Sequence, residues 1–387
     1  MRVLQVSKFY QPVMGGIETV AWELTEGLNR SGLQVDVLCS NHAPKTSRET
    51  FPAGYEVVRA ASMGMLLSTS MAPAMVRELC LLMKDRDILH VHMPDPMAAL
   101  AIWTVRTRAR IVVHWHSDVV RQRHAMKLYE PLQRWLLRRA DAVVTTSQAY
   151  AESSATLQPW LDKVSVIPIG ISDHRRLASA EKVDEIRRRF GGRRIVFSLG
   201  RMTYYKGFEV LIRAAAALPD DCVVLIGGDG ELLPHYRAMV SELGLNAKVR
   251  LLGHIDDGEL ASYYEACDVF CMTSTVRAEA YGVTLVEAMA MGKPIVATDI
   301  FGSGVPWVNV HGVTGYNLPV GRSQDLAEAL RGLLDNAGLR QSLGRAGRQR
   351  YLDEFNAQSM TRRTLDMYDR LLPAGQPRVL SPAKISS

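Results

Sequence analysis

Residues 278–292 read Ala-Glu-Ala-Tyr-Gly-Val-Thr-Leu-Val-Glu-Ala-Met-Ala-Met-Gly, and Lys293-Pro294 follow. Two carboxylates, Glu279 and Glu287, are separated by seven residues. Between them, Gly282 lets another group approach the backbone closely, and Thr284 is a good helix N-cap. From Thr284 the pattern turns helical, and it stops at a glycine followed by proline. Glu279 is therefore expected in a loop and Glu287 one turn inside a short helix. The orphan N–H groups of Val283 and Thr284, at the positive end of the helix dipole, would then make an anion site with a carboxylate on each side. A second reading stands beside the first: Thr284-x-x-Glu287 is also a capping box, in which Glu287 satisfies the N-cap amide. The segment alone leaves both open.

Working outward, this stretch closes a series of strand signals at 194–199, 222–226, 248–252, 268–272 and 295–298. An earlier series lies at 2–7, 34–39, 87–92, 110–115 and 141–146. These are apolar, β-branched runs with little alternation, as parallel strands buried on both faces require, and helical stretches separate them. Each half reads as a doubly wound, Rossmann-like α/β domain, whose ligands bind beyond the carboxyl ends of the strands. The expected organisation is a first domain over 1–170, a polar, Arg-rich linker over 171–193, a second domain over 194–354, an amphipathic helix over 355–372 and a disordered tail over 373–387.

With 387 residues, 47% hydrophobic and 22% charged, the composition is that of a soluble globular protein, and no apolar run approaches a membrane span. Met1–Val6 reads as a strand rather than a signal peptide. Five scattered cysteines without a Cys-x-x-Cys point to buried free thiols in a reducing cytoplasm. The net charge of +6 is uneven: residues 1–180 hold 21 Lys+Arg against 16 Asp+Glu, much of it within 121–139, RQRHAMKLYEPLQRWLLRR. That segment suits an amphipathic helix on anionic membrane, or a core helix with a solvated basic face. The Met-rich stretch 63–83 reads as a greasy acceptor loop or as a loop and core helix.

Several other residues can carry chemistry. Gly15-Gly16 opens the helix after the first strand and would let amides reach a phosphate or sugar, though the dinucleotide fingerprint is absent. Arg201, after the strand 194–199, and Lys206, at the next helix start, are two cations suited to clamping a pyrophosphate. Gly227–Glu231 is a Gly-rich turn on the same edge. His90-x-His92 and His114-x-His116 share strand faces and invite a zinc reading, but no ligand set at metal spacing accompanies them, so strand-end histidines at a cleft are the simpler account. His116, followed by Ser117-Asp118, is the best placed for a substrate.

Together these motifs resemble the retaining family 4 glycosyltransferases. Glu279…Glu287 resembles their E-x7-E signature, and Gly15-Gly16, His116-x-Asp118, Gly200-Arg201…Lys206-Gly207 and Gly228-Asp229-Gly230 fall in that family's order over roughly residues 1–355. Val166–Gly170 resembles its interdomain stretch. The resemblance implies the GT-B fold, two facing Rossmann-like domains with a C-terminal helix crossing back. It implies that Arg201 and Lys206 bind the donor diphosphate with amides at Gly16, Val283 and Thr284 beside Gly282. Glu287 would take the ribose, Glu279 the transferred sugar, His116 that sugar from the other domain, and Gly253 and His254 would lie near the base. Ala280 departs from the glycine common after the first Glu. No metal or other cofactor is expected, since fixed positive charge can stabilise the leaving diphosphate. Replacing Lys206 with Ala is expected to cut transfer sharply and leave the fold intact.

The segment from His114 to Ser147 resembles enzymes of O-antigen and other surface polysaccharides, several of which use GDP-mannose or GDP-rhamnose. Expected partners are thus a nucleotide-sugar donor, a lipid-linked or free saccharide acceptor and the inner membrane surface, with no nucleic acid. A nucleotide-sugar 2-epimerase on the same fold is the alternative. An NAD dehydrogenase is disfavoured by the missing fingerprint.

Overall fold

The structure is a computed structural model describing residues 1–13, 15–67, 69–119 and 123–372, with side chains at 123–126 and 176 excepted. The expected tail 373–387 and the start of the basic stretch lie outside the described residues. The chain forms two units, one of Met1–Ile171 with the segment from Ala357 onward, the other of Ser172–Asn356.

The first unit holds strands β1 (Arg2–Ser7), β2 (Gln34–Ser40), β3 (Ser47–Thr50), β4 (Glu56–Ala60), a small hairpin of β5 (Met65–Leu66) and β6 (Thr69–Ser70), then β7 (Ile88–Met93), β8 (Arg110–Trp115), β9 (Ala142–Thr145) and β10 (Val164–Val166). Apart from the hairpin they form one sheet in the order β10-β9-β8-β7-β1-β2-β4-β3. It is parallel except for β3, which runs antiparallel to β4. The continuous apolar runs of β1, β7 and β8 are buried on both faces, as their lack of alternation implies. β3, Ser-Arg-Glu-Thr, is fully exposed at the edge and carries no apolar signal to betray it.

Helix Ala357–Leu371 belongs to this first unit. Its buried stripe, Met360, Thr361, Thr364, Met367 and Tyr368, has helical spacing. It packs on helix Gly16–Arg30 so closely that a Cβ at Gly27 would lie 2.0 Å from Thr361 Oγ1 and 3.2 Å from its Cβ.

The second unit is a six-stranded, wholly parallel sheet of β11 (Arg194–Leu199), β12 (Cys222–Gly227), β13 (Val249–Gly253), β14 (Val269–Met272), β15 (Ile295–Asp299) and β16 (Gly315–Pro319), in the order β13-β12-β11-β14-β15-β16. Residues 171–193 are not an extended linker. Ser179 caps a helix over Ala180–Arg189, and its two apolar positions, Val183 and Ile186, are buried where it packs on helix Asp257–Ala266. Two buried positions among charges give little helical signal, which is why the stretch reads as polar linker.

Cys39, Cys222, Cys267 and Cys271 are buried free thiols, whereas Cys80 is exposed. Among the described residues no helix is long and apolar enough to cross a membrane.

The Gly27 contact is testable. Gly27→Val should cost about 1–3 kcal/mol, because the overpacking at Thr361 exceeds any gain in helix propensity. Thermal unfolding should show a midpoint lower by several degrees, and an unchanged midpoint would refute this packing.

Candidate functional site

In the second unit the loops after the adjacent strands β11 and β14 meet at the carboxyl edge. After β11 the chain runs Gly200-Arg201 to Lys206-Gly207 before helix Phe208–Ala215. Gly207 has φ +62°, and a Cβ there would lie 2.3 Å from the Thr273 carbonyl oxygen, so only glycine fits. Lys206 lies back across Gly200, where an added Cβ would meet its Cε at 3.0 Å. Its Nζ donates to Glu279 Oε2 at 2.6 Å, and Ser274 Oγ donates to the same oxygen at 2.9 Å. Both ionic side chains are about nine-tenths buried. Burial alone would push the Lys206 ammonium down, but the Glu279 carboxylate outweighs it and the net direction is upward. Arg201 is exposed, close enough for its charge to act on Lys206, and its guanidinium has no partner among the described residues.

The capping box does not form. Gly282, with φ +85°, takes the N-cap position of helix Val283–Ala290, and no side chain caps the first turn. Thr284 sits inside the helix. Glu287 instead accepts from the Tyr264 hydroxyl at 2.6 Å. Burial pushes its carboxyl up, while Tyr264, His174 and Lys206 pull it down; the net direction is upward. The structure thus brings Arg201, Lys206, Glu279, Glu287 and the uncapped amides of Val283 and Thr284 to one edge.

Gly253 ends β13 with φ +70° and accepts through its carbonyl from Gly228 N–H at 2.7 Å. His254 is exposed and lines a surface cavity with Phe190, Arg250 and Tyr263. The Gly-rich turn has a structural reason: a Cβ at Gly228 would lie 2.0 Å from the Gly200 carbonyl oxygen, and one at Gly230 2.5 Å from that of Met202. It buttresses the Arg201 loop.

In the first unit, Gly15 is the extended N-cap of helix Gly16–Arg30, again without a side-chain cap. A Cβ at Gly15 would meet Glu18 Oε2 at 2.3 Å, while Gly16 has open space. Asp118 braces the turn after β8: its carboxylate accepts from Trp115 Nε1 at 3.0 Å and from Ser154 Oγ at 2.8 Å.

His90 and His92 of β7, His114 of β8 and His116 just past it stack in a buried ladder, with neighbouring ring centroids 4.3–5.3 Å apart. His92 Nδ1 pairs with His116 Nε2 at 2.9 Å, and His92 Nε2 with Gln5 Oε1 at 2.7 Å. His90 pairs with His114 at 3.2 Å and with the Tyr368 hydroxyl at 2.5 Å. Burial first, then mutual repulsion, holds His90, His92 and His116 well below the usual imidazole range, and burial brings His114 down to about 3. Nitrogens of His90, His92 and His114 lie within 4.8 Å of one another, close enough to share a metal ion. Against that, the group holds no carboxylate and both ring nitrogens of His90 and His92 are already hydrogen-bonded. A divalent charge there would be buried uncompensated. Gln5, Ser274 and Tyr264 were not singled out in the sequence; only Ser274, polar at a strand end, carried any signal.

Residues 179–350 match the family model described as glycosyl transferases group 1, and residues 14–175 that described as glycosyltransferase family 4. The chain is 33% identical to O-antigen chain mannosyltransferase C of Escherichia coli over 96% of this chain and 99% of the relative. It is 31% identical to D-rhamnosyltransferase WbpZ of Pseudomonas aeruginosa over 92% and 93%. Among solved structures, Anabaena Alr3699/HepE in complex with UDP aligns with a TM-score of 0.76 at 21% identity, covering 96% of this chain and 100% of that one. Sucrose-phosphate synthase from Thermosynechococcus elongatus aligns at 0.79 and 22%, covering 96% and 98%. These two likenesses establish the GT-B fold.

The buried ion pair amends one expectation from sequence. Lys206→Ala leaves Glu279 enclosed without its counter-ion and should cost about 3–5 kcal/mol. Lys206→Met combined with Glu279→Gln removes both charges and should recover at least half of that loss in urea unfolding. Additive losses would show that the pair is not coupled.

Proposed function

The chain belongs to the family 4 glycosyltransferases of GT-B fold, and on that premise we propose that it is a retaining, metal-independent hexosyltransferase. Its donor is a GDP-sugar, GDP-mannose or GDP-rhamnose, and its acceptor a saccharide on polyprenyl diphosphate in surface-polysaccharide (O-antigen) assembly. The names of two relatives above 30% identity that cover more than nine-tenths of the chain, a mannosyl- and a rhamnosyltransferase, support the sugar class.

The observation that carries the reading is the grouping of Lys206 and the unpartnered Arg201 with an uncapped helix N-terminus. A nucleoside diphosphate departs as an anion, so fixed cations and amides aimed at its oxygens lower the barrier without reorganising. In the proposed complex Arg201 binds bidentately, and Lys206 turns part of its hydrogen bonding from Glu279 to the phosphate. Glu279 then faces the sugar, and Glu287, held by Tyr264, takes the ribose hydroxyls. The bond between the anomeric carbon and the diphosphate oxygen breaks, that oxygen leaving with the nucleoside diphosphate, and the acceptor oxygen bonds on the same face. The acceptor's proton passes to the departing phosphate oxygen, so the anomeric configuration is kept.

Docking on the inner face of the cytoplasmic membrane is supported by the first unit. Helix Arg123–Arg139 buries Tyr129, Gln133, Leu136 and Leu137 and exposes Lys127, Leu128, Arg134 and Arg138. Helix Pro96–Val105, which packs on Arg123–Arg139, exposes Trp103, and the β5–β6 hairpin exposes Met65, Leu66 and Leu67. Basic residues interleaved with exposed apolar ones suit an anionic interface.

Two experiments check this. In a thermal-shift panel of GDP, UDP and ADP, GDP should give the largest rise, and GDP-sugar with lipid-linked acceptor should yield an α-linked product from an α-donor with EDTA present. Inversion, loss of turnover on chelation, or epimerisation of donor alone would overturn the proposal. Separately, the protein should sediment with phosphatidylglycerol vesicles at low salt, and Arg134→Glu/Arg138→Glu should weaken that binding severalfold. Equal binding to neutral vesicles would remove the electrostatic part.

A further inference from the structure

The histidine ladder contains two hydrogen-bonded chains that do not share a hydrogen bond. One runs from Tyr368 through His90 to His114. The other runs from Gln5 through His92 to His116. Only the second reaches His116, the ring that the family resemblance implies would meet the transferred sugar in the proposed function.

The polarity of this second chain can be worked out. Each imidazole is neutral in the buried ladder, so each carries one N–H and one bare nitrogen. Gln5 Oε1 can only accept, and its 2.7 Å separation from His92 Nε2 is that of a short N–H···O bond. His92 therefore carries its proton on Nε2, and its Nδ1 is bare. That Nδ1 lies 2.9 Å from His116 Nε2, so His116 must donate from Nε2. The Nδ1 of His116 is left with a lone pair. His116 is also the rim of the ladder, 6% exposed where His90, His92 and His114 are 0%, 1% and 1%. Gln5 is fully buried in the central strand β1 and its Nε2 has no hydrogen-bond partner among the described residues, so the polarity of the chain rests on the Oε1–His92 Nε2 contact.

We propose that Gln5 and His92 are positioning residues that lock His116 in the tautomer whose Nδ1 accepts a hydrogen bond from a hydroxyl of the bound sugar. An imidazole free to exchange tautomers would present a donor to the same hydroxyl part of the time. The relay removes that state before the donor arrives, and does so from the core of the sheet rather than from the site.

This rests on the proposed function only for the identity of what His116 meets; the tautomer is a property of the free protein. Selective 15N-histidine labelling with two-bond 15N–1H correlation, assigned by loss of signals in His116→Asn, should show His116 protonated at Nε2 and bare at Nδ1. A proton on Nδ1, as a reversed Gln5 amide would dictate, or an exchange-averaged mixture, overturns the proposal. Gln5→Met, similar in size but unable to accept at that point, should give a mixed tautomer and lower kcat by about tenfold, with GDP affinity unchanged. A folded Gln5→Met protein with native tautomer and native kcat also overturns it. If Gln5→Met does not fold, the native spectrum decides alone. A chain with the expected tautomer but no hexosyl transfer would instead sink the proposed function and leave the relay standing.

Discussion

The second unit depends on one constraint: a lysine must be enclosed at the end of β11 and still remain charged. Burial works against the ammonium, and the Glu279 carboxylate, itself fixed by Ser274, reverses that. Much of the local sequence follows from this arrangement. Gly200 makes room for the lysine stem, Gly207 clears the Thr273 carbonyl, and Gly228 and Gly230 lie against the loop that carries Arg201. The neighbouring helix start is left without a side-chain cap, its glycine N-cap at positive φ. A buried ion pair is weak evidence for stability in itself. Here it holds a cation charged at the edge where the proposed donor diphosphate would bind.

Much of this was legible in the sequence because it was written in patterns of a few residues. The apolar runs of β1, β7, β8 and β11 marked two parallel sheets, and the E-x7-E spacing marked Glu279 and Glu287. The readings left open or missed have physical causes. Thr284-x-x-Glu287 has the residues of a capping box, but Gly282 can adopt a left-handed conformation that threonine would resist, so the cap moves two residues earlier. Glu287 is then taken by Tyr264, a partner from a distant helix that local spacing cannot reveal. The helix Ala180–Arg189 hid among charges because it buries only Val183 and Ile186. The sequence marked Gly227–Glu231 as a Gly-rich turn without a reason for its glycines, and the reason at Gly228 and Gly230 is backbone crowding.

The first unit uses polar burial differently. No ion pair is found within its ladder; its neutral rings pair with one another, with Gln5 and Tyr368 at the ends, while Gln5 Nε2 and His114 Nε2 are left without hydrogen-bond partners among the described residues. Such a network is costly if left half-satisfied and specific if closed. His-x-His spacing showed that the rings share a face. That they bond across the strands came from register, His92 opposite His114 in the parallel ladder.

Helix Ala357–Leu371 has a consequence for how the protein is made. The first unit is interrupted by the whole of the second, from Ser172 to Asn356. During synthesis the face of Gly16–Arg30 around Gly27, and the ring of His90 that awaits Tyr368, emerge early but are covered last. At about 5–20 residues per second the delay is about 10–40 s. The unit begun first is therefore completed second, and a ribosome that stalls near residue 356 releases a finished second unit attached to an open sheet domain, the form a quality-control protease would meet.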